Sequence, residues 1–245
     1  MEPAVVTGAA SGIGRALARQ LAAAGRTVYL ADVAELDELA TELGAIAAPT
    51  DVADPDQMAR LATLAADADL VCLNAGIVGT SLGAPWDAPQ DEWQKLLEVN
   101  LLGVVNGLRA FVPFLLARER PAHILITASL AGLVTFPGGG AYAATKHAVV
   151  AVAEQTSLAL AGSSVGVTVL CPALVRSGMS ETGDDPDDVA AAALAACRQG
   201  EFLVVPPEWR AAIVARGILL STGERPVLPT PAVPQPGAGP GPGES

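Results

Sequence analysis

The stretch Thr7-Gly8-Ala9-Ala10-Ser11-Gly12-Ile13-Gly14 decides the fold, because it joins an apolar strand pattern to a helical one. The segment before it, Ala4 to Thr7, has the composition of a buried strand, and Arg15 to Ala24 show helical periodicity. Three glycines in the turn allow a tight bend, a close backbone approach to a phosphate, and close packing of helix on strand. A glycine-rich turn alone is a weak signal, but in this order the elements predict the start of a βαβ unit.

The same alternation of apolar segments and helical periodicity continues along most of the 245-residue chain. It predicts an α/β fold of three layers, in which a Rossmann-like, doubly wound, parallel seven-stranded sheet lies between two layers of helices. The predicted strands are Ala4 to Thr7, Thr27 to Ala31, Ala45 to Ala48, Leu70 to Leu73, His123 to Thr127, Gly166 to Cys171 and Phe202 to Val205. The predicted helices are Gly12 to Ala24, Ala34 to Leu43, Pro55 to Ala66, Asn100 to Arg118 and Tyr142 to Ala161, with a further candidate around Trp209 to Leu220.

Length and composition favour one domain, residues 1–222, followed by a tail, residues 223–245. With 51% hydrophobic residues, the chain can bury one large core without disulfide or metal staples. The tail is rich in Pro and Gly, which leave few backbone donors for regular structure. We therefore expect the tail to be extended or disordered.

The formal net charge is -12, from 14 basic and 26 acidic side chains. Such a charge repels phosphate backbones and anionic lipid headgroups, so neither nucleic acid nor a membrane is expected as a partner. The sequence shows no signal-peptide pattern and no uninterrupted apolar run of the ~18 residues that span a bilayer. Three cysteines without close spacing fit a reducing compartment. These features predict a cytoplasmic protein.

Acidic residues and two histidines are the candidate metal ligands of the sequence. Four aspartates surround Pro186, but a proline there suits the first position of a helix, which Asp185 can cap while the other carboxylates face the positive end of the helix dipole. His123 begins a predicted strand, and His147 lies on a predicted helix with no second ligand near it in sequence. Both histidines are interpreted as structural, and no metal is predicted.

Asp32 ends the second predicted strand, 18 residues after Gly14. A carboxylate about 20 residues past a glycine turn of this kind binds the adenosine ribose of a dinucleotide, whose pyrophosphate sits on the helix N-terminus. The same carboxylate repels a 2′-phosphate, and no basic residue lies between Gly8 and Gly14 or between Asp32 and Arg60. The pattern therefore favours NAD over NADP. The alternative is that Asp32 caps the helix predicted at Ala34 to Leu43, and one carboxylate can serve both ends.

Tyr142 and Lys146 stand four residues apart in a predicted helix, so both side chains lie on one face. The chain contains two tyrosines and two lysines, so a chance pairing at this offset has odds of roughly 2%. A phenol ionises near pH ~10, and a neighbouring ammonium and a cationic nicotinamide both favour its ionised form. The pair therefore predicts Tyr142 as a catalytic acid/base. The alternative is a surface aromatic stacked over a lysine stem.

The TGxxxGxG and YxxxK motifs resemble those of the short-chain dehydrogenase/reductase family, and the resemblance covers roughly residues 3 to 206. It implies that Tyr142 exchanges a proton with the alcohol or carbonyl oxygen while hydride moves to or from the nicotinamide, and that Lys146 binds the ribose hydroxyls. Ser129, 13 residues before Tyr142, matches the serine that hydrogen-bonds the substrate oxygen. Asn100 matches the fourth catalytic residue, whose backbone carbonyl holds a water that relays protons to Lys146.

The resemblance extends to the cofactor site. Asp51-Val52 looks like the family's adenine-contacting pair, Asn74-Ala75-Gly76 like its structural turn, and the segment from Cys171 to Ser177 like the loop that holds the nicotinamide carboxamide. Leu73 replaces a usual asparagine, Ala173 replaces a usual glycine, and the loop ends in serine where threonine is usual. The predicted cofactor-binding residues are Gly8, Ser11, Gly12, Ile13, Gly14, Asp32, Asp51, Val52, Asn74, Ala75, Gly76, Tyr142, Lys146, Pro172, Val175 and Ser177.

The predicted substrate pocket is mostly apolar, although each of its candidate residues could equally belong to the core. These residues are Ile77, Val78, Leu130, Phe136, Ala173 and Met179. They favour a hydrophobic substrate. Together with this, the resemblance implies an NAD(H)-dependent oxidoreductase that interconverts a hydrophobic secondary alcohol and a ketone.

Two other functions are compatible with a nicotinamide-binding domain. One is an NAD(H)-binding, redox-sensing regulator without turnover, which loss of Tyr142 or Lys146 would have favoured. The other is an epimerase or dehydratase of the related extended type, which is disfavoured because little chain follows Cys171. The resemblance also implies a homodimer or homotetramer, paired through the helices at Asn100 to Arg118 and Tyr142 to Ala161.

Overall fold

The structure, a computed structural model, describes residues 2–81, 83–176 and 182–232. Its first elements are β1 (Ala4–Thr7), α1 (Gly12–Ala23), β2 (Val28–Ala31), α2 (Asp37–Leu43), β3 (Ile46–Ala47), α3 (Pro55–Leu64) and β4 (Leu70–Leu73). A long helical stretch follows as α4 (Gln90–Leu96), a π-helical segment (Leu97–Leu102) and α5 (Gly103–Ala117). The remaining elements are β5 (Ala122–Thr127), a first 3₁₀ turn (Leu130–Gly132), α6 (Gly140–Ala159), β6 (Val165–Leu170), α7 (Pro186–Gln199), β7 (Leu203–Val204), a second 3₁₀ turn (Pro207–Trp209) and α8 (Arg210–Thr222).

All seven strands form one parallel sheet in the order β3-β2-β1-β4-β5-β6-β7. This arrangement confirms the predicted doubly wound α/β fold. The strand order reverses between β1 and β4, so the crossover helices leave the sheet on opposite sides there. In such sheets a crevice opens at the carboxyl ends of the two strands, where ligands bind.

Helices cover both faces of the sheet. Successive residues of a strand point to opposite faces, so neighbouring strand residues are buried in different apolar clusters. Val5 and Val71 are fully buried in the apolar cluster that includes residues of α3, α5 and α6. Val6 and Cys72, one position further along each strand, are fully buried in the cluster that includes residues of α1 and α7. The core therefore fixes the strands on both faces, and their carboxyl ends form a rigid edge.

Some predicted helix boundaries were wrong. The helix predicted at Asn100 to Arg118 begins at Gln90, because the first helical turns are polar and carry too few apolar residues to show a periodic stripe. The helix predicted from Ala34 begins at Asp37, where the carboxylate of Glu35 accepts the N–H of Asp37 at 3.2 Å. At α7 the prediction is confirmed, since Asp185 caps the helix by accepting the N–H of Asp187 at 2.9 Å.

The stretch Gln90–Ala117 is long and apolar enough to cross a membrane when judged by length and composition alone, and 39% of its most apolar window is buried. The core helix of a soluble protein meets the same criterion. Here Val104, Phe111 and Leu115 are buried against the sheet. The stretch is therefore weak evidence for a membrane span.

The first part of the predicted tail, residues 223–232, has no regular structure but is not detached from the domain. The N–H of Ala232 donates to the carbonyl of Glu208 at 2.8 Å, just before α8 begins. Residues Pro226–Ala232, α8 and the pair Val134-Thr135 enclose a cavity of about 410 Å³. The predicted tail residues 233–245 lie outside the described part of the chain.

Candidate active site

A cavity of about 790 Å³ lies at the carboxyl edge of the sheet. The predicted residues that line it are Gly8, Ser11, Gly12, Ile13, Asp32, Asp51, Val52, Asn74, Ala75, Gly76, Ile77, Val78, Ser129, Leu130, Phe136, Tyr142, Lys146, Ala173 and Val175. Three other predicted residues, Gly14, Asn100 and Pro172, are not part of its lining. Ser177 and Met179 lie outside the described residues.

The glycine turn after β1 brings the start of α1 to the cavity. Gly8 and Gly12 adopt φ angles of +67° and +50°, which are strained for any residue with a Cβ. A Cβ on Gly14 would lie 2.0 Å from the carbonyl oxygen of Gly8, so Gly14 serves helix packing rather than the cavity wall. Ser11 makes no side-chain cap, which leaves the first N–H groups of α1 without a side-chain acceptor. Such a helix start suits an anionic group.

Asp32 follows β2 and is held on both sides by backbone donors. Its carboxylate accepts the N–H of Ala10 at 2.9 Å and the N–H of Ala34 at 3.0 Å. The alternative that Asp32 caps the next helix was wrong, since α2 begins only at Asp37. Arg15, the nearest base in sequence to the glycine turn, donates its guanidinium to the carbonyl of Ala10 and does not line the cavity.

The Asp51-Val52 turn after β3 is fixed by neighbouring helices. The N–H of Asp51 donates to the side chain of Gln57 at 2.9 Å, and the amide of Asn106 donates to the carbonyl of Val52 at 3.0 Å. A Cβ on Gly103 would lie 2.7 Å from a methyl carbon of Val52, so α5 packs directly on the turn. These contacts hold the pair against the cavity on the side of β2 and β3.

Asn74 ties together the ends of three strands. Its backbone N–H donates to the hydroxyl of Thr7 at 2.9 Å, and its amide oxygen accepts from the hydroxyl of Thr127 at 3.1 Å. Leu73, which replaces the usual asparagine, is buried, and a Cβ on Gly107 would lie 2.4 Å from its Cδ2 atom. This departure from the family pattern therefore affects strand packing on α5 rather than the cavity.

Ser129 and Tyr142 meet at the end of β5 and the start of α6. Ser129 caps the first 3₁₀ turn by accepting the N–H of Ala131 at 3.1 Å. A Cβ on Gly132 would lie 2.5 Å from the carbonyl oxygen of Lys146, so this turn packs directly on α6. Burial raises the pKa of Tyr142, and a side-chain hydrogen bond with Ser129 opposes that rise. In the protein without cofactor burial has the larger effect on this pKa, and the lowering by the ammonium together with a cationic nicotinamide stays a prediction.

Lys146 lies beneath Tyr142, with its Nζ atom 5.7 Å from the centre of the phenol ring. The ammonium donates to the carbonyl of Thr127 at 3.2 Å, and the residue is only 4% exposed. The alternative of a surface aromatic stacked on a lysine stem was therefore wrong. Burial lowers the pKa of Lys146 to about 8. Among the ion pairs of the described residues, none involves this ammonium.

Asn100 lies in the π-helical segment and is completely buried. Its side-chain oxygen accepts the N–H of Ile77 at 2.8 Å, and its amide donates to the carbonyl of Ile77 at 2.9 Å and to the hydroxyl of Thr145 at 3.2 Å. A Cβ on Gly76 would lie 3.3 Å from the same side-chain oxygen. Asn100 therefore connects the turn after β4 to α6, and π-helical segments occur frequently at functional sites.

Trp209 was missed as a cavity residue, because its sequence pattern indicates only the start of an apolar helix. It lines the cavity and contacts Phe136 edge to face, with ring centres 5.6 Å apart. Leu174, next to the predicted Ala173, also contributes to the lining. The replacement of glycine by Ala173 causes no backbone strain, since Glu119 is the one non-glycine residue with positive φ in the described chain.

The two histidines make hydrogen bonds away from the cavity. The Nε2 atom of His123 lies 2.8 Å from the hydroxyl of Thr168, and the Nδ1 atom of His147 lies 2.9 Å from the carbonyl of Ala143. Within residues 2–81, 83–176 and 182–232, no group of three or more His, Cys, Asp or Glu side chains is arranged to hold a metal ion.

The cavity combines groups that fit a dinucleotide at one side and carbonyl chemistry at the other. Uncapped helix N–H groups at Gly12 and Ile13 suit a pyrophosphate, and Asp32 suits ribose hydroxyls. Further along the sheet edge, Ser129, Tyr142 and Lys146 present a hydroxyl, a phenol and an ammonium to the same space. This arrangement can hold an alcohol or carbonyl oxygen and move a proton to or from it.

Comparisons with known proteins agree with this chemistry. Residues 2–187 match the family described as short chain dehydrogenase. The 1-deoxy-11-beta-hydroxypentalenate dehydrogenase of Streptomyces exfoliatus is 45% identical over 190 residues, which are 72% of this chain and 68% of that protein.

Two solved structures have the same fold. A short-chain dehydrogenase/reductase from Burkholderia phymatum in complex with NAD is 33% identical, with a TM-score of 0.86 over 94% of this chain and 97% of that one. A short-chain dehydrogenase from Sphingobium yanoikuyae in complex with NADPH is 24% identical, with a TM-score of 0.78 over 90% of this chain and 96% of that one.

Proposed function

The chain belongs to the short-chain dehydrogenase family, whose members bind a nicotinamide cofactor, and from that premise we propose that it interconverts a hydrophobic secondary alcohol and its ketone with NAD(H). One observation carries the proposal. The hydroxyl of Ser129, the phenol of Tyr142 and the buried ammonium of Lys146 border one cavity, and that ammonium lies 5.7 Å from the centre of the Tyr142 ring. A regulator without turnover needs only the cofactor site, so the three groups together in one cavity favour an enzyme.

In the proposed reaction Tyr142 moves the proton. When bound, NAD(H) supplies or accepts the hydride. During ketone reduction the phenol of Tyr142 gives its proton to the oxygen that becomes the hydroxyl, and in the reverse direction the phenolate accepts it. Ser129 donates a hydrogen bond to the same substrate oxygen. Lys146 holds the ribose and favours the phenolate when it forms.

We propose that Asn100 positions Lys146. Its side chain has three hydrogen bonds to Ile77 and Thr145, so that side chain is fully engaged. We propose that its backbone carbonyl holds a proton-relaying water near Lys146.

The local charges support NAD rather than NADP. A 2′-phosphate at the adenosine ribose would come close to the carboxylate of Asp32, and like charges at short range repel each other. Arg15 is engaged with the carbonyl of Ala10, outside the cavity lining. No arginine lines the cavity among the described residues. Its basic lining residues are Lys146 and Lys95, and Lys95 lies on α4 rather than on the turn that carries Asp32.

We expect the Asp32→Asn substitution to shift the preference toward NADPH by roughly tenfold, since it removes the negative charge. It keeps one of the two oxygen acceptors for the N–H groups of Ala10 and Ala34. The measurement is the thermal stabilisation by NADH and by NADPH at equal concentrations. Asp37→Asn, which removes an exposed carboxylate outside the cavity, is the matched control and is expected to leave the preference unchanged. Stronger stabilisation of the wild-type protein by NADPH would contradict the assignment.

The apolar lining supports a hydrophobic substrate. Beyond the catalytic groups the cavity presents Ile77, Leu130, Phe136, Leu174 and Trp209. Side chains of this kind bind ring systems and alkyl groups better than polyhydroxylated compounds. The name of the Streptomyces exfoliatus relative describes the dehydrogenation of a hydroxylated pentalenate, which agrees with an alcohol as substrate.

A panel of alcohols tests the substrate class. With NAD present, we expect turnover of cyclic, aromatic or long aliphatic secondary alcohols and little turnover of sugars or polyols, because the lining offers few partners for extra hydroxyls. The measurement is steady-state formation of NADH at 340 nm, with the cofactor-only reaction as control. Turnover of polyols alone would refute the proposed substrate class.

Exposed apolar side chains support assembly into a homodimer or homotetramer. Leu97, Leu102 and Phe114 are between 37% and 45% exposed on the long helical stretch from α4 to α5. Apolar side chains grouped on one exposed stretch are typical of subunit interfaces. We therefore propose that this helical stretch pairs with its copy in a second subunit.

A further inference from the structure

Trp209 occupies a defined place in the cavity. The sheet order puts β2 and β3 on one side of β1, and β7 at the opposite edge of the sheet. Asp32 and Asp51 follow β2 and β3, whereas Trp209 follows β7. The indole therefore lies at the end of the cavity away from the proposed adenosine site, on the side where Ser129 and Tyr142 stand.

The ring of Trp209 is held by contacts that connect it to the reacting groups. It meets the ring of Phe136 edge to face, with an interplanar angle of 79° and ring centres 5.6 Å apart. Phe136 lies on the segment that joins Ser129 to Tyr142, and its carbonyl accepts the N–H of Gly139 at 3.0 Å, just before α6. A movement of the aromatic pair would therefore displace both Ser129 and Tyr142.

The backbone of Trp209 is also anchored. Its N–H donates to the carbonyl of Pro206 at 3.0 Å, and the neighbouring carbonyl of Glu208 accepts the N–H of Ala232 at 2.8 Å. The segment after α8 thus holds the turn that carries the indole. The smaller cavity of about 410 Å³ begins at Val134 and Thr135, directly before Phe136, and continues along α8. Phe136 and Trp209 line only the larger cavity, so the aromatic pair stands between the two spaces.

We propose that Trp209, braced by Phe136, is the specificity-determining residue that limits the size of the ketone or alcohol accepted next to Tyr142. A rigid indole backed by a second ring leaves a fixed boundary, whereas a flexible aliphatic chain would yield to a larger substrate. The residue that limits substrate size thus lies at the β7 edge of the sheet. This inference rests on the proposed function, and its test separates the two.

The test compares a monocyclic ketone with a fused tricyclic ketone in the presence of NADH. Because a single methylene in an apolar pocket changes discrimination by roughly tenfold or more, Trp209→Ala is expected to raise the ratio of kcat/KM for tricyclic over monocyclic ketone by at least ~10-fold. Trp209→Phe, which keeps an aromatic ring against Phe136, is expected to give a smaller shift in the same direction. Trp86→Ala is the matched control, since Trp86 is 84% exposed and lies outside the cavity lining.

Thermal stabilisation of the NADH-loaded proteins by the same two ketones gives a second measurement that needs no turnover. We expect Trp209→Ala to be stabilised more by the tricyclic ketone than the wild-type protein is. An unchanged ratio and unchanged stabilisation in both Trp209 variants, or an equal shift in Trp86→Ala, would overturn the size-limit proposal while leaving the proposed function intact. Absence of turnover in the wild-type protein, with the binding shift still present, would instead reject the proposed function and support the size limit.

Discussion

Replacing Tyr142 by phenylalanine is expected to lower turnover of the preferred alcohol by ~10²–10⁴-fold, the usual contribution of a positioned acid or base, while NADH binding stays unchanged. The substitution removes only the hydroxyl that moves the proton. The ring remains, so its packing over Lys146 is retained. Steady-state kinetics measure the loss of kcat, and a fluorescence titration with NADH measures binding.

The chain offers a matched control, because it has two tyrosines. Tyr29 is buried in β2 and does not line the cavity, so Tyr29→Phe removes the same atom from the same kind of residue elsewhere. We expect that variant to keep its turnover. If Tyr142→Phe retained turnover comparable to that of Tyr29→Phe, the assigned acid/base role would be refuted.

The pKa of Tyr142 sets the pH dependence of the two directions. Because burial raises this pKa, the phenol keeps its proton at neutral pH and is ready to donate it to a ketone. Alcohol oxidation needs the phenolate, so its rate is expected to rise as the pH increases. Tyr142→Phe is expected to abolish this rise, which distinguishes a proton-transfer role from a packing role.

The fold followed from the sequence because it rests on local patterns that the packed protein preserves. Short apolar runs such as Ala4 to Thr7 became fully buried strands, and the turn glycines allow the backbone angles and close approaches that such a turn needs. Tyr142 and Lys146 came together because helical spacing alone decides which residues share a face.

Other features depend on contacts between distant segments, and no local pattern reports these. Phe136 and Trp209 meet across 73 residues of chain, and the second partner comes from a turn whose place is set by the edge strand β7. The π-helical segment around Asn100 likewise has no signature in its apolar spacing. The rise that burial causes in the pKa of Tyr142 also could not be predicted, because the sequence shows the neighbouring charge but not the depth of burial.

Replacing Lys146 by methionine is expected to reduce turnover by ~10²-fold or more and, at the same time, to stabilise the cofactor-free protein. The loss of turnover follows from removing the ammonium that favours the phenolate and holds the ribose. The gain in stability follows from burial: the ammonium is 4% exposed, and folding lowers its pKa from 10.5 to about 8. This difference corresponds to a cost of about 3 kcal/mol in the free energy of unfolding at pH 7.

The pH dependence of stability separates this charge effect from a change in packing. Between about pH 8 and pH 10.5 the unfolded wild-type chain holds more protons at Lys146 than the folded one, so the wild-type protein becomes more stable as the pH rises through that window. The stability advantage of Lys146→Met is therefore expected to be complete below pH 8 and to disappear above pH 10.5.

Urea unfolding at a series of pH values measures this difference in the free energy of unfolding. Lys95→Met, which replaces the other lysine, exposed on α4, is the control for the loss of a lysine side chain without burial. A gain in Lys146→Met that did not change with pH would mean that methionine packs better there. The wild-type protein keeps the Lys146 ammonium buried despite this cost in stability. Such a cost is typical of a functional group, here one that favours the phenolate of Tyr142 during proton transfer.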